Sequence, residues 1–203
     1  MGGNERIPDR RYWPNFLRGE PREIHARMLD SDPLRLRERC AVRLRQLWLL
    51  IEPDRAFARA AASVALAAQL DDPPADLESW VQARIDQALQ QILEADRLAE
   101  LAGDPLDAEQ RNFPLLTSSL LVDPDKVRAI GFAFHALDDL SRRAFFELMI
   151  EGREVLEVLD AGPWDADQLH DHLSAALRAL SFNPPVRKRS LVEVYRKEGQ
   201  EKP

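Results

Sequence analysis

The sequence is poor in the residues that most catalytic and metal sites use. Cys40 is the single cysteine among 203 residues, which excludes an internal disulfide and a cysteine cluster for zinc. The 4 histidines leave little material for a metal site, and no glycine-rich loop is placed to cradle a phosphate. We therefore expect no catalytic residues, no metal and no cofactor, and we expect the protein not to be an enzyme.

Long apolar runs are also missing. No stretch reaches the ~18 apolar residues that a membrane-spanning helix needs, and no secretory segment opens the sequence. The 14 prolines exclude one long coiled coil, because proline interrupts a helix. Hydrophobic residues at 45% and charged residues at 31% are typical of a globular protein. We expect a cytoplasmic protein without a membrane partner.

Charge is distributed unevenly along the chain. Residues 1–50 carry 11 arginines against 7 acidic residues, a net charge of +4, and residues 181–203 carry 6 basic against 3 acidic residues, a net charge of +3. Residues 51–180 carry 11 basic against 25 acidic residues, a net charge of −14. This asymmetry is compatible with nucleic-acid or partner contacts at the two ends, and equally with charged ends that solvate an acidic folded middle.

Apolar residues recur at helical spacing in every long segment, and no sustained strand alternation appears. Helix boundaries follow from capping chemistry: we expect starts at Pro21, Asp54, Asp76, Ser141 and Asp165 and ends near Gly103, Gly152 and Gly162. The clearest apolar stripes are Leu36, Cys40, Leu44 and Leu47; Phe57, Ala61, Val64 and Ala68; and Val81, Ile85, Ala88, Ile92, Ala95 and Ala99.

The pattern predicts an all-α protein of two small helical domains joined by a linker. The N-terminal domain covers 1–102, and the proline-containing linker 103–124. The C-terminal domain covers 125–182, and a basic tail, predicted to be flexible, covers 183–203. A short helix, a turn at Gly162 and a longer capped helix give the C-terminal domain the layout of a helix-turn-helix.

Residues 136–180 resemble the C-terminal promoter-binding domain of RNA polymerase sigma factors of the extracytoplasmic-function type. The stretch from Gly152 to Leu180 needs no gap, and weaker similarity extends over residues 12–100, around Phe16–Pro21 and Trp80. The positions that carry the resemblance are Leu140, Arg142, Arg143, Phe146, Leu148, Glu151, Gly152, Glu157, Val158, Leu169, Leu173, Ala176, Leu177, Arg178 and Leu180.

The resemblance implies domains similar to sigma regions 2 and 4, which would bind RNA polymerase core and promoter DNA. It also implies a regulatory partner, such as an anti-sigma-type inhibitor. The residues that we predict to contact DNA are Gln168, His170, His172, Arg178, Trp80, Arg84, Arg187, Lys188 and Arg189, and those predicted to contact a partner protein are Arg35, Arg39 and Arg43.

Two departures from the family pattern keep a second hypothesis open. The third helix lacks the acidic, glutamine-containing stretch that docks on polymerase in that family, and reads FARAAASV at 57–64. The predicted recognition helix is acidic, although groove-binding helices normally supply cations to phosphates. The alternative is therefore a sigma-like protein that has lost promoter binding and acts as a protein–protein adaptor or mimic.

Overall fold

The computed structural model describes residues 13–180, and all regular secondary structure in that range is helical. The predicted all-α class is confirmed. The predicted tail, 183–203, lies outside the described residues. The α-helices are α1 (Pro21–Ser31), α2 (Leu36–Gln46), α3 (Pro53–Leu70), α4 (Leu77–Ala102), α5 (Ala108–Arg111), α6 (Val127–His135), α7 (Asp139–Phe145), α8 (Val155–Ala161) and α9 (Ala166–Ala179).

Shorter helical segments complete the secondary structure of residues 13–180. Asn15–Leu17 and Pro124–Lys126 are 3₁₀ turns, and Leu115–Ser119 and Phe146–Ile150 are π-helical turns. The second π-helical turn continues α7 directly. No helix in residues 13–180 combines the length and the apolar character needed to cross a membrane.

The helix boundaries largely follow the capping residues. Pro21 opens α1, Asp76 caps α4, and Gly103 ends α4 in the left-handed conformation, as predicted. Two predicted caps are wrong. Glu52 caps α3 in place of Asp54, because its side chain accepts the Arg55 N–H at 2.7 Å and Pro53 occupies the first helical position.

The start of α7 was also predicted three residues too late. Asp138 is the cap, and its carboxylate accepts the backbone N–H of Ser141 at 2.9 Å. Aspartate and serine are about equally strong capping residues, and Asp138 precedes Ser141 in the sequence.

Two compact units are distinguished by their internal packing. Unit 1 contains residues 13–46 and 51–105, and α1 to α4 pack around buried side chains such as Ile24, Cys40 and Val64. The predicted stripe of α4 is buried from Val81 to Ile92 and ends there. Alanines on the buried face of α3 allow its neighbours to approach closely; they are Ala56, Ala60, Ala61, Ala65, Ala67 and Ala68.

Unit 2 contains residues 47–50 and 106–180. Most of the segment predicted as a linker is part of this unit, since Phe113 and Leu116 are buried in its core. Leu50, predicted in the N-terminal domain, joins the same core, and its backbone N–H donates to Nε2 of His135 in α6 at 3.0 Å. Pro53 disfavours a helical conformation in the residue before it, so the apolar run does not continue as a helix. Residues 47–50 of that run gain burial in unit 2 instead.

Candidate functional site

The three arginines that were predicted to contact a partner, Arg35, Arg39 and Arg43, form ion pairs within unit 1. Nη2 of Arg39 lies 2.8 Å from Oε1 of Glu78. Nε and Nη2 of Arg43 donate to the two carboxylate oxygens of Asp86 at 2.6 and 3.0 Å. Arg35, which directly precedes α2, pairs with Glu38 in the first turn of that helix. The charges of these side chains are therefore offset by carboxylates of the same unit, two of them on α4.

The two predicted DNA contacts of α4, Trp80 and Arg84, lie around the carboxylate of Asp71. The indole Nε1 of Trp80 donates to Oδ2 of Asp71 at 2.8 Å, and Nη1 of Arg84 lies 3.8 Å from the same oxygen. The Arg84 guanidinium also lies over the Trp80 ring at 5.9 Å, and the Trp13 ring contacts Trp80 at a centroid distance of 4.9 Å. Trp80 and Arg84 are neighbours one turn apart on α4, and the nearby carboxylate would repel a phosphate.

A small apolar cluster sets the position of α9. It contains Ala144 of α7, Val158 of α8, Trp164 of the connection and Leu169 of α9. The Trp164 indole donates to the carbonyl oxygen of Val158 at 3.2 Å. A Cβ at Gly162 would lie 2.3 Å from Nε1 of Trp164, so only glycine allows the indole to sit there.

The start of α9 uses Gln168 for capping. Oδ1 of Asp165 accepts the Gln168 N–H at 2.9 Å, and the Gln168 side chain accepts the Asp165 N–H at 2.9 Å. This reciprocal capping box directs the amide of Gln168 toward the helix terminus. The predicted role of Gln168 in reading a base would require the amide oxygen to leave that bond.

His172 faces α7. Its Nδ1 lies 2.9 Å from Oγ of Ser141 and 3.5 Å from Oδ1 of Asp138. Burial raises the pKa of Asp138, but hydrogen bonds from Ser141 and the adjacent His172 outweigh that effect, so the pKa lies below its ordinary value of 3.8. The cluster contains an aspartate, a serine and a histidine, but its role is to cap α7. Ser141 is buried, and its hydroxyl donates to Asp138 at 2.8 Å.

His170 and Arg178, the other predicted DNA contacts in the described range, lie apart on α9. His170 is half-buried, with Nε2 3.5 Å from Oγ of Ser174. Arg178 is exposed in the last turn of α9, roughly 15 Å along the axis from Gln168. Two exposed carboxylates lie on the same helix: Asp167 directly precedes Gln168, and Asp171 follows it by three residues. The remaining three, Arg187, Lys188 and Arg189, lie outside the described residues.

A charged network in unit 2 was missed by sequence reasoning. Glu147 is only 3% exposed, and its carboxylate meets Nε of Arg143 at 2.7 Å and Nη1 of Arg153 at 3.3 Å. The Arg143 guanidinium also lies over the rings of Trp48 and Trp164, at 5.9 and 5.1 Å. The four-residue spacing of Arg143 and Glu147 was the available signal. Removal of either guanidinium would destabilise unit 2, because it would leave the buried carboxylate of Glu147 with less compensating charge.

A groove between α3 and α4 was also missed. It has a volume of about 320 Å³, and its lining includes Arg59, Leu66 and Leu70 of α3 with Arg84 and Gln91 of α4. Leu66 is 58% exposed and Leu70 is 78% exposed. The signal in the sequence was this pair of leucines, four residues apart and outside the predicted buried stripe.

Metal-binding chemistry is not assembled in the part of the chain that the structure describes. There, no group of three or more His, Cys, Asp or Glu side chains is arranged to hold an ion. Cys40 is buried, and burial, with a smaller effect of Asp32, raises the pKa of its thiol to about 12. Cys40 is therefore a core residue, as its place in the apolar stripe predicted.

Comparison with family models, with curated proteins and with solved structures finds no match to this chain. The class that the fold defines is an all-α protein with two compact units.

Proposed function

We propose that this protein is a sigma-like adaptor that acts through protein–protein contacts and does not read promoter DNA. The observation that carries the proposal is the position of the two predicted DNA contacts of α4: Trp80 donates to Asp71, and Arg84 lies 3.8 Å from the same carboxylate oxygen. Phosphate neutralisation by free cations supplies most non-specific affinity for DNA, whereas this guanidinium already faces a carboxylate. The proposal includes a non-enzymatic role in the cytoplasm.

The composition of α9 supports the same proposal. The capping box occupies the amide of Gln168, and His172 faces Ser141 and Asp138. Asp167 and Asp171 are exposed on the helix that would enter the groove. Each carboxylate near a phosphate opposes binding, so a helix with this surface is better suited to a protein partner than to DNA.

A working sigma factor, which binds RNA polymerase core and promoter DNA under control of an anti-sigma-type inhibitor, is the second candidate. The arrangement of α7, α8 and α9 around Trp164 and Leu169 favours it, because such a cluster braces the second helix of a helix-turn-helix. The exposed Arg178 of α9 would be available to a phosphate.

Affinity purification of the tagged full-length chain from its native host separates the two candidates. The lysate is treated with nuclease, and the eluted proteins are quantified by mass spectrometry. The adaptor proposal predicts a stoichiometric protein partner without the β and β′ subunits of RNA polymerase. Stoichiometric β and β′ would instead support the sigma-factor candidate and overturn the adaptor proposal.

A further inference from the structure

The groove between α3 and α4 differs electrostatically from its surroundings. The two helices run antiparallel, since Arg55 of α3 pairs with Asp96 of α4 and Arg59 bonds to Gln91. The charged residues in the lining are two arginines, Arg59 and Arg84, and one aspartate, Asp71. The groove is thus locally cationic within residues 51–180, which carry a net charge of −14.

The hydrogen-bonding state of Arg59 points to a partner carboxylate. Three arginines of α2 and α3 form ion pairs with carboxylates of α4: Arg39, Arg43 and Arg55. In contrast, Nε of Arg59 donates to the neutral amide of Gln91 at 3.1 Å. At the other end of the groove, the guanidinium of Arg84 already faces Oδ2 of Asp71 at 3.8 Å. The Arg59 end therefore retains the capacity to bind a negative group.

The apolar part of the groove has the dimensions of a helix-binding site. From Arg59 to Leu70 the lining runs along roughly 16 Å of α3, which equals three helical turns. Leu66 and Leu70 are separated by one turn and are exposed. Paired apolar contacts at this spacing, flanked by charge, are how grooves recognise an amphipathic helix.

We infer that this groove binds an acidic amphipathic helix of a partner protein, with apolar side chains against Leu66 and Leu70 and a carboxylate at Arg59. The inference rests on the proposed function, because it names the kind of partner that the adaptor would hold. Charge complementarity assigns the site to an acidic helix, since a basic helix would face Arg59, whose Nε donates to a neutral amide.

The probe is a pair of synthetic helical peptides of roughly 14 residues with leucines at i, i+3 and i+7. One peptide carries a glutamate beside the leucine stripe and the other a lysine at the same position. Binding to the full chain is measured by fluorescence polarisation. We expect the glutamate peptide to bind about tenfold more tightly than the lysine peptide.

Groove variants test the location. Leu66→Ser and Leu70→Ser should each weaken binding of the glutamate peptide about tenfold. Leu98→Ser is the matched control: Leu98 is 53% exposed on α4, outside the groove lining, and its substitution should leave binding unchanged. Arg59→Glu should reverse the preference between the two peptides.

Three results would overturn the inference: equal affinity for both peptides, no binding up to about 1 mM, or the same loss in the Leu98→Ser control. Self-association of the full chain that Leu66→Ser abolishes would also overturn it, by assigning the groove to a second copy. If the peptides do not bind the groove, the adaptor proposal can still hold. A stoichiometric partner other than RNA polymerase, recovered from the host, would support the adaptor role even then.

Discussion

Arg43 and Asp86 form a two-point ion pair that joins α2 to α4, with nitrogen–oxygen distances of 2.6 and 3.0 Å. Both side chains are partly buried, at 28% and 33% exposure. A bidentate guanidinium–carboxylate pair is stronger and more directional than an ordinary surface contact. The side chain that sequence reasoning assigned to a partner therefore has a structural role within unit 1.

The first prediction concerns the energy of this pair. A double-mutant cycle with Arg43→Met and Asp86→Asn should give a coupling of about 1 kcal/mol in urea unfolding, because the pair is shielded in part from solvent. The comparison pair is Arg97 and Glu94 within α4, which is also two-point but more exposed, at 45% and 55%, so its cycle should give a smaller coupling. A coupling energy of zero between Arg43 and Asp86 would contradict a structural role for this pair.

The second prediction concerns Gly162, where an added Cβ would lie 2.3 Å from the Trp164 indole and 2.8 Å from the Val158 carbonyl oxygen. Gly162→Ala should lower the free energy of unfolding by about 1–3 kcal/mol, because the indole must move out of a packed cluster. Thermal and urea unfolding measure this.

Gly131 in α6 is the matched control for Gly162. Apart from its own helix backbone, no described atom lies within 4 Å of the Cβ that alanine would add there. Gly131→Ala should raise the free energy of unfolding by up to about 1 kcal/mol, because alanine favours helix. Equal effects of the two substitutions would contradict the close packing of Trp164 on Gly162.

The third prediction concerns acid sensitivity through Asp138. Its pKa is lowered in the folded state, so its carboxylate stabilises the fold above the ordinary value of 3.8. That contribution is lost as the pH falls from about 4 through the lowered pKa. Asp138→Asn should therefore destabilise the protein at pH 7 and flatten the decline below pH 4, as followed by urea unfolding across pH.

The exposed neighbour Asp139 provides the control for Asp138. Asp139→Asn should leave the acid profile of the wild type largely unchanged, because Asp138 accepts the capping hydrogen bonds from Ser141. An Asp138→Asn profile that falls as steeply as the wild type would show that another carboxylate controls the acid sensitivity.

The fourth prediction concerns Cys40. Burial and a pKa of about 12 keep the thiol protonated and inaccessible at pH 8. The native protein should react with a thiol reagent such as Ellman's reagent only on the timescale of unfolding, and should react at once in urea. Rapid stoichiometric labelling of the native protein would contradict the burial of Cys40.

Local chemistry explains which parts of the fold could be predicted from sequence. Asp76 and Asp165 cap helices, and Gly103 ends one, because these effects depend on residues within one turn. Long-range pairing was not predictable in the same way. The helical periodicity of α2 places Arg39 and Arg43 on one face, but it does not show that this face meets Glu78 and Asp86 of α4.

The segment 47–50 illustrates the same limit. Leu47 was predicted to continue the apolar stripe of α2, but α2 ends at Gln46 and residues 47–50 lie between two helices. The bond from Leu50 to His135 spans 85 positions in sequence, so no local pattern could assign the segment to unit 2. The ion pair on which the adaptor proposal depends also joins residues that are far apart in sequence, so local patterns could not predict it.

The most direct test of the adaptor account is a fluorescence-anisotropy titration of labelled double-stranded DNA with the full chain at about 150 mM salt. We predict a Kd weaker than about 100 μM for the wild type, and measurable binding once Asp167→Lys and Asp171→Lys remove the repulsion on α9. Asp30→Lys with Asp72→Lys adds the same charge elsewhere and should give a smaller gain. Wild-type binding with a Kd below about 1 μM would contradict the account.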